Sequence, residues 1–178
     1  MTNAELAILS LVTERPRHGY EIEQVIEERG MRDWTEVGFS SIYYVLKKLE
    51  QEGLVESRLE PAAHGPARKV YQATRAGRAA LRAAVQEALS TPSQFYSPLQ
   101  LGLANLPALS RKEAIAALRR YRDALAGRLK HVQTRQRAQR PLPDFVEAMF
   151  DHSAALLKAE IRWADRFIAQ QEERDAQD

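Results

Sequence analysis

The chain has 178 residues, of which 44% are apolar and 28% charged, as in a folded globular protein and too apolar for wholesale disorder. Because the sequence has no cysteine, disulfides, thiolate metal sites and cysteine nucleophiles are excluded. No run approaches the ~18 consecutive apolar residues of a membrane span, and the N-terminus lacks the basic segment of a secretion signal. We therefore expect a cytoplasmic protein of one large or two small domains.

Charge is distributed unevenly along the chain. Residues 1–88 are nearly neutral, with 12 basic and 13 acidic side chains. Residues 111–140 hold ten basic and two acidic side chains, whereas residues 141–178 hold four basic and nine acidic ones. A basic stretch followed at once by an acidic one favours two helices that pair, within one subunit or between two. The alternative is that the basic stretch binds nucleic acid.

The first 89 residues alternate between periodic apolar segments and turn signals. The pattern predicts helices over 3–14, 19–29 and 40–52, strands over 54–60 and 68–73, and a fourth helix from Thr74 to about 89. Pro16 ends the first helix, Gly30 the second and Gly53 the third. Three helices followed by a β-hairpin and a helix, with short linkers, are typical of a winged helix-turn-helix.

The third predicted helix is amphipathic. Its apolar residues recur at the spacing of one helix face: Ile42, Val45, Leu46 and Leu49. Its opposite side carries hydroxyl, phenol and ammonium groups: Ser40, Tyr44, Lys47 and Lys48, flanked by Ser41 and Tyr43. Such groups donate to phosphate oxygens and reach base edges in a major groove. An ordinary solvated face is the alternative, but the position before a hairpin favours a recognition helix.

The hairpin loop places permanent charges beside a rigid turn, in the sequence His64-Gly65-Pro66-Ala67-Arg68-Lys69. A wing of this kind lies along the phosphate backbone or enters the minor groove, where arginine and lysine are favoured. We therefore expect His64, Arg68 and Lys69 to contact DNA. The alternative is a solvated turn whose charges balance Glu56 and Glu60.

Four segments resemble the PadR family of transcriptional regulators in sequence, order and spacing. They are residues 18–22, 41–50, 53–56 and 65–74. Tyr44 and Lys48 stand where many members have proline and arginine, which leaves the base preference open. Tyr44 offers a larger aromatic contact to a sugar or a thymine methyl group.

The resemblance implies a homodimeric winged-helix regulator that binds a palindromic operator in double-stranded DNA and is often released by a small ligand. The long C-terminal part resembles the branch of phenolic-acid-responsive repressors. The expected fold is mainly α with a small β-hairpin wing. It comprises a winged helix-turn-helix DNA-binding domain over 1–89, a linker with a short helix over 90–109, and a helical dimerisation domain over 110–178.

The C-terminal half carries its own signals. A short helix is expected near 99–104, Ser110 and Glu113 have the spacing of a capping box, and Asp144 is expected to cap the last helix. That helix has two adjacent apolar rows: Phe145, Met149, Leu156, Trp163 and Phe167, and then Val146, Phe150, Leu157, Ile161 and Ile168. Because this surface is too wide for one neighbouring helix, it predicts a partner subunit and four helices about a two-fold axis.

A two-fold dimer presents two recognition helices, which fit successive major grooves only if they lie about 34–36 Å apart. A ligand between the linker helix and the C-terminal helices would change that spacing by rotating the winged domains. Candidate lining residues for a small aromatic effector are Phe95, Tyr96, Leu99, Leu103 and Trp163. For any one of them, a place in the hydrophobic core is the alternative.

The sequence carries no motif for catalysis or cofactor binding. It has no phosphate-binding glycine loop, nucleophile elbow or dinucleotide fingerprint. His131 and His152 have no carboxylate or cysteine at metal-ligand spacing. We therefore expect neither enzyme activity nor a metal or cofactor. A winged-helix protein-interaction module without DNA binding is the alternative function.

Overall fold

The N-terminal elements combine helices with one small sheet. The structure is a computed structural model that describes residues 1–35, 37–38, 41–61, 67–92 and 96–175, and it divides into two units, Met1–Gln94 and Phe95–Asp178. The first unit contains α1 (Asn3–Glu14), β1 (Arg17–His18), α2 (Gly19–Glu28), a 3-10 turn (Met31–Asp33), α3 (Ser41–Gln51), β2 (Val55–Glu60), β3 (Arg68–Ala73) and α4 (Arg75–Ser90). The fold class predicted from the sequence, a winged helix with a small hairpin, is confirmed.

The sheet has three antiparallel strands in the order β1-β3-β2. The hairpin strands β2 and β3 were predicted, whereas the two-residue strand β1 was missed. β1 is positioned by Arg17, which is buried and donates to the Leu11 carbonyl and, at 2.8 Å, to Glu14. Glu14 also accepts from Arg29 at 2.7 Å. This carboxylate therefore joins the ends of α1 and α2 to the start of β1.

One face of each of the helices α1, α2 and α3 packs into the core of the first unit. The predicted apolar row of α3 is buried throughout, as Ile42, Val45, Leu46 and Leu49 are each at most 4% exposed. Side-chain caps set where the helices begin: Thr2 and Glu5 form a capping box on α1, and Thr74 caps α4. Because its inner face is fixed in the core, α3 directs its polar face outwards.

Glu5 is a buried carboxylate beneath α3. It accepts hydrogen bonds from the Thr2 backbone at 2.8 Å and from the Lys48 ammonium at 2.5 Å. The Lys48 hydrogen bond is the main reason that the pKa of Glu5 lies below its ordinary value of 4.5. Glu5 thus ties the start of α1 to the third helix through a charge-assisted contact.

Replacing Glu5 with glutamine is expected to lower the free energy of unfolding by about 1 kcal/mol near neutral pH. Because the pKa of Glu5 is lowered in the folded state, its carboxylate stabilises the fold above pH 4.5. That contribution is lost as pH falls through the folded-state pKa. Urea unfolding of the parent and E5Q at about pH 7 and about pH 3 should show a difference that closes at the lower pH. An equal difference at both pH values would contradict the assignment.

The described part of the second unit, residues 96–175, contains four helical segments. They are α5 (Pro98–Ala104), a 3-10 turn (Leu106–Ala108), α6 (Arg111–Gln139) and α7 (Asp144–Asp175). The capping box predicted at the start of α6 is confirmed, with Ser110 and Glu113 each accepting from the other's backbone N–H. Asp144, expected to cap the last helix, is instead its first residue. There its negative charge interacts favourably with the helix dipole.

Helices α6 and α7 pair within one chain, which confirms the pairing favoured by the charge pattern. Two arginines of α6 and the arginine at its C-cap form ion pairs with α7. Arg119 pairs with Glu172 at 2.5 Å, Arg122 with Asp165 at 3.4 Å, and Arg140 with Glu147 at 2.9 Å. The Tyr121 hydroxyl donates to Glu160. Burial, with the nearby Glu160 carboxylate, raises the pKa of Tyr121 to about 12.

The two apolar rows of α7 have different surroundings. Ile168 is buried with Ile115 and Leu118 of α6. In the other row, the N-terminal members Phe145, Met149 and Leu156 are exposed, at 70%, 39% and 59%. Trp163 and Phe167, further along that row, pack with Leu99 against the buried cluster. A single α6 therefore leaves the N-terminal part of this row uncovered, and we call Phe145, Met149 and Leu156 the open row.

Candidate nucleic-acid interface

The outer face of α3 presents phenol and ammonium groups to solvent. Tyr43 and Tyr44 are 59% and 70% exposed, and Lys47 is also exposed. Large aromatic side chains at such exposure gain little from the fold itself. Of the two predicted serines, Ser41 is the first residue of α3, although its side chain is not described, and Ser40 lies outside the described residues. This face combines hydrogen-bond donors with positive charge.

The two lysines of this helix differ in their surroundings. Lys48 contacts Glu5 at 2.5 Å and Glu52 at 3.8 Å. The Glu5 contact is the main cause of a raised pKa of Lys48. Lys47 forms no ion pair with any residue that the structure describes. The charge of Lys47 is therefore available to an anion outside the protein, whereas that of Lys48 is largely offset.

Glu50 joins the third helix to both strands of the hairpin. Its carboxylate accepts from the Lys69 ammonium at 2.7 Å and from the Ser57 hydroxyl. These two donors, Lys69 first, lower the pKa of Glu50. Lys69 also lies over the Tyr71 ring, 5.2 Å from its centroid. Sequence analysis missed Glu50, because its partners are brought to it only by the register of the hairpin.

Arg68, on the neighbouring position of β3, has no carboxylate partner among the described residues. Its guanidinium Nη1 lies 3.4 Å from His18 Nε2, and no ion pair of Arg68 occurs within the described ranges. Residues 62–66 of the loop between the strands, which include the predicted contact His64, lie outside the described residues. At the loop end of the hairpin, Arg68 is thus an exposed cation and Lys69 a neutralised one.

A cleft of about 340 Å³ lies between the start of α2, α3 and the loop-proximal part of β3. Its lining residues are His18, Gly19, Tyr20, Tyr43, Arg68, Lys69 and Tyr71. The absence of a side chain at Gly19 lets the Tyr43 ring approach closely, since a Cβ at this position would lie 2.5 Å from Tyr43 Cε1. In the sequence alone, residues 18–20 indicate only the family resemblance. Their contribution to this surface could not be recognised without the approach of Tyr43.

The predicted effector residues are only partly brought together. Leu99 and Trp163 pack against the same buried cluster, and Trp163 stacks on Phe167 with ring centroids 5.4 Å apart. Leu103 is half-buried, Tyr96 is 79% exposed, and Phe95 lies outside the described residues. Leu99 and Trp163 thus have the hydrophobic-core environment that was the alternative for each of them.

Two absences hold for the described part of the chain. It contains no group of three or more His, Cys, Asp or Glu side chains placed to hold a metal ion. Among its helices, none combines the length and apolar character that crossing a membrane requires.

Comparisons with known proteins relate this chain to DNA-binding regulators. The family model described as the transcriptional regulator PadR-like family matches residues 8–83. An uncharacterised protein of Lysinibacillus sphaericus is 34% identical over 80 residues, which are 45% of this chain and 72% of that protein. The residues matched by the family model include α3 and the hairpin strands.

Solved structures match over nearly the whole chain. Bacillus subtilis PadR in complex with operator DNA matches with a TM-score of 0.78 and 22% identity, covering 94% of this chain and 98% of that one. The same protein in complex with p-coumaric acid matches with a TM-score of 0.74 and 22% identity, covering 94% of each chain. At this identity, the likeness establishes the fold alone.

Proposed function

The chain belongs to the PadR-like family of transcriptional regulators, and on this basis we propose that it is a homodimeric repressor that binds a palindromic operator. The observation that carries the proposal is the outer face of α3. There Tyr43, Tyr44 and Lys47 are exposed on a helix whose other face is fixed in the core. A rigid helix with donors on its free face suits insertion into a major groove.

The proposed DNA contacts divide into direct and supporting ones. Tyr43, Tyr44 and Lys47 on α3, with Ser40 and Ser41 at its start, contact base edges and phosphates in the major groove. His64 and Arg68 contact the adjacent backbone or minor groove from the wing. Lys48 and Lys69 lie at the same surface as supporting residues, because their charges are largely offset by Glu5 and Glu50. Their ion pairs with Glu5 and Glu50 also fix the positions of the helix and the wing.

Dimerisation is proposed to occur through the open row of α7. Phe145, Met149 and Leu156 lie on the same side of that helix and are exposed in the single chain. Burying them against a second copy about a two-fold axis removes this apolar surface from water. The axis then relates two α3 helices, which read the two halves of a palindrome if they lie about 34–36 Å apart.

A double substitution of Tyr44 and Lys47 by alanine is expected to weaken binding to a selected duplex about 30-fold. The loss of one phosphate contact should also reduce the salt slope by about one. Fluorescence anisotropy over a range of salt concentrations measures both effects. Lys48 is left unchanged, because its removal would leave the buried Glu5 carboxylate without its partner.

Lys158→Ala, which removes an exposed cation of α7, is the matched control for this double substitution and should bind like the parent. Unchanged affinity of the double variant would show that α3 is not the recognition helix. If the parent binds no duplex in a salt-sensitive manner, the chain is instead a winged-helix protein-interaction module.

We further propose that a small aromatic ligand releases the regulator from DNA. The proposed lining is Phe95, Tyr96, Leu99, Leu103 and Trp163, and the stacked ring of Trp163 beside Leu99 supports an aromatic preference. Bacillus subtilis PadR has been solved with p-coumaric acid, so this acid is the first probe. Adding it to the protein–duplex complex should lower the anisotropy, whereas no change with a panel of aromatic acids would contradict the proposal.

A further inference from the structure

We propose that the cleft between the start of α2, the outer face of α3 and the loop-proximal part of β3 holds one phosphate group of the DNA backbone. Arg68 and His18 donate to it. This inference rests on the proposed function and names a contact outside the groove-reading face of α3. It adds α2 to the DNA-binding surface through a residue that was assigned no such role.

The hydrogen bonds of His18 show that its free ring nitrogen is a donor. Nδ1 accepts from the Glu21 backbone N–H at 3.2 Å, as the N-cap of α2. A neutral imidazole whose Nδ1 accepts must carry its proton on Nε2. Nε2 lies 3.4 Å from Arg68 Nη1, and a guanidinium has only donors. Two donors therefore lie side by side in the cleft, and one acceptor that contacts both nitrogens satisfies both.

Among the residues that the structure describes, no carboxylate lies within ordinary hydrogen-bond distance of either donor. The Glu21 carboxylate is 3.5 Å from His18 Nε2, longer than an ordinary hydrogen bond, and it already accepts the His18 backbone N–H at 3.0 Å. The other cation of the cleft, Lys69, is held by Glu50. A negatively charged acceptor would accept hydrogen bonds from both Arg68 and His18 and would balance the charge of Arg68. A phosphate oxygen has these properties.

The position and size of the cleft favour a nucleic-acid phosphate. Tyr43 forms part of its lining and also belongs to the exposed face of α3, so a strand that contacts this face passes the cleft. The volume of about 340 Å³ exceeds what a phosphate group needs. The rings of Tyr20, Tyr43 and Tyr71 leave apolar surface for the attached deoxyribose.

The test combines variants with duplexes in which single phosphates are replaced by neutral methylphosphonates. For the parent, one replacement in each half-site should weaken binding about tenfold. In Arg68→Gln the same replacement should have less than about a twofold effect, because the donor is already absent. The duplex affinity of His18→Asn should likewise become insensitive to methylphosphonate replacement at the same phosphate. Asparagine retains an acceptor for the α2 cap, but its shorter side chain has no donor at the position of His18 Nε2.

Arg58→Gln is the matched control, since Arg58 is an exposed arginine on β2 that pairs with Glu60 at 2.7 Å. It should keep the tenfold sensitivity of the parent. The inference is overturned if methylphosphonate replacement weakens binding by Arg68→Gln and His18→Asn as much as binding by the parent. It is also overturned if the two variants lose this effect at different phosphates. Duplex binding without this coupling contradicts the inference alone, whereas absence of binding to every duplex contradicts the proposed function as well.

Discussion

Replacing Phe145 and Leu156 with glutamate is expected to produce a monomer that binds a palindromic duplex at least about 100-fold more weakly than the parent. Both side chains belong to the open row of α7 and are more than half exposed in the single chain. Their replacement therefore has little effect on folding. In the dimer, two carboxylates on each chain would be buried against apolar surface without partners, which association cannot tolerate. Two half-sites bound by separate chains then lose the gain in effective concentration.

Sedimentation velocity measures the oligomeric state of this variant, and anisotropy measures its affinity. Arg162→Glu is a charge-matched control, because it changes the net charge of the chain by the same amount at an exposed position elsewhere on α7. The control is expected to remain dimeric and to bind DNA. A double glutamate variant that stays dimeric would contradict the assignment of the open row as the interface.

Gly77→Ala is expected to destabilise the first unit by about 3 kcal/mol. A Cβ at this position would lie 1.9 Å from the Leu54 carbonyl oxygen and 2.9 Å from its carbon, so the obstacle is backbone. The first turn of α4 is held there by two further contacts. Thr74 donates its backbone N–H to Leu54 at 3.0 Å and its hydroxyl to Gly53 at 2.7 Å. The helix cannot move away without losing these hydrogen bonds.

Thermal unfolding should show this loss as a decrease in Tm of about 10 °C. Gly127→Ala, in the middle of α6, is the control, because a Cβ there meets no heavy atom within 4 Å. It should raise stability slightly, since alanine favours the helix. Equal stability of Gly77→Ala and the parent would mean that α4 does not pack on the Leu54 backbone.

Local sequence patterns were sufficient to predict the main elements. The spacing of Ile42, Val45, Leu46 and Leu49 specifies which face of α3 is buried, and all four are buried. The capping box at Ser110 depends on residues three apart and was equally visible. β1, in contrast, has only two residues and exists because β3 pairs with it, with Arg17 opposite Tyr71. A contact across more than fifty positions leaves no local signal.

The charges of the candidate interface were less predictable than its position. Lys47 and Lys48 are adjacent in the sequence, yet only Lys48 reaches a carboxylate beneath the helix, 43 positions earlier in the chain. Arg68 and Lys69 are likewise adjacent, and only Lys69 is held by Glu50. In each pair, the tertiary fold decides which cation is neutralised. Residue type alone indicates a basic surface but not which of its charges remain available to DNA.

The dimeric arrangement on DNA is tested most directly by selecting bound fragments from random duplex DNA and sequencing them. For a two-fold dimer we expect an inverted repeat whose half-sites have centres about 10–10.5 base pairs apart, or a multiple of that spacing. Enrichment of a single, unrepeated site would contradict the proposal that a two-fold dimer presents a pair of α3 helices to successive grooves.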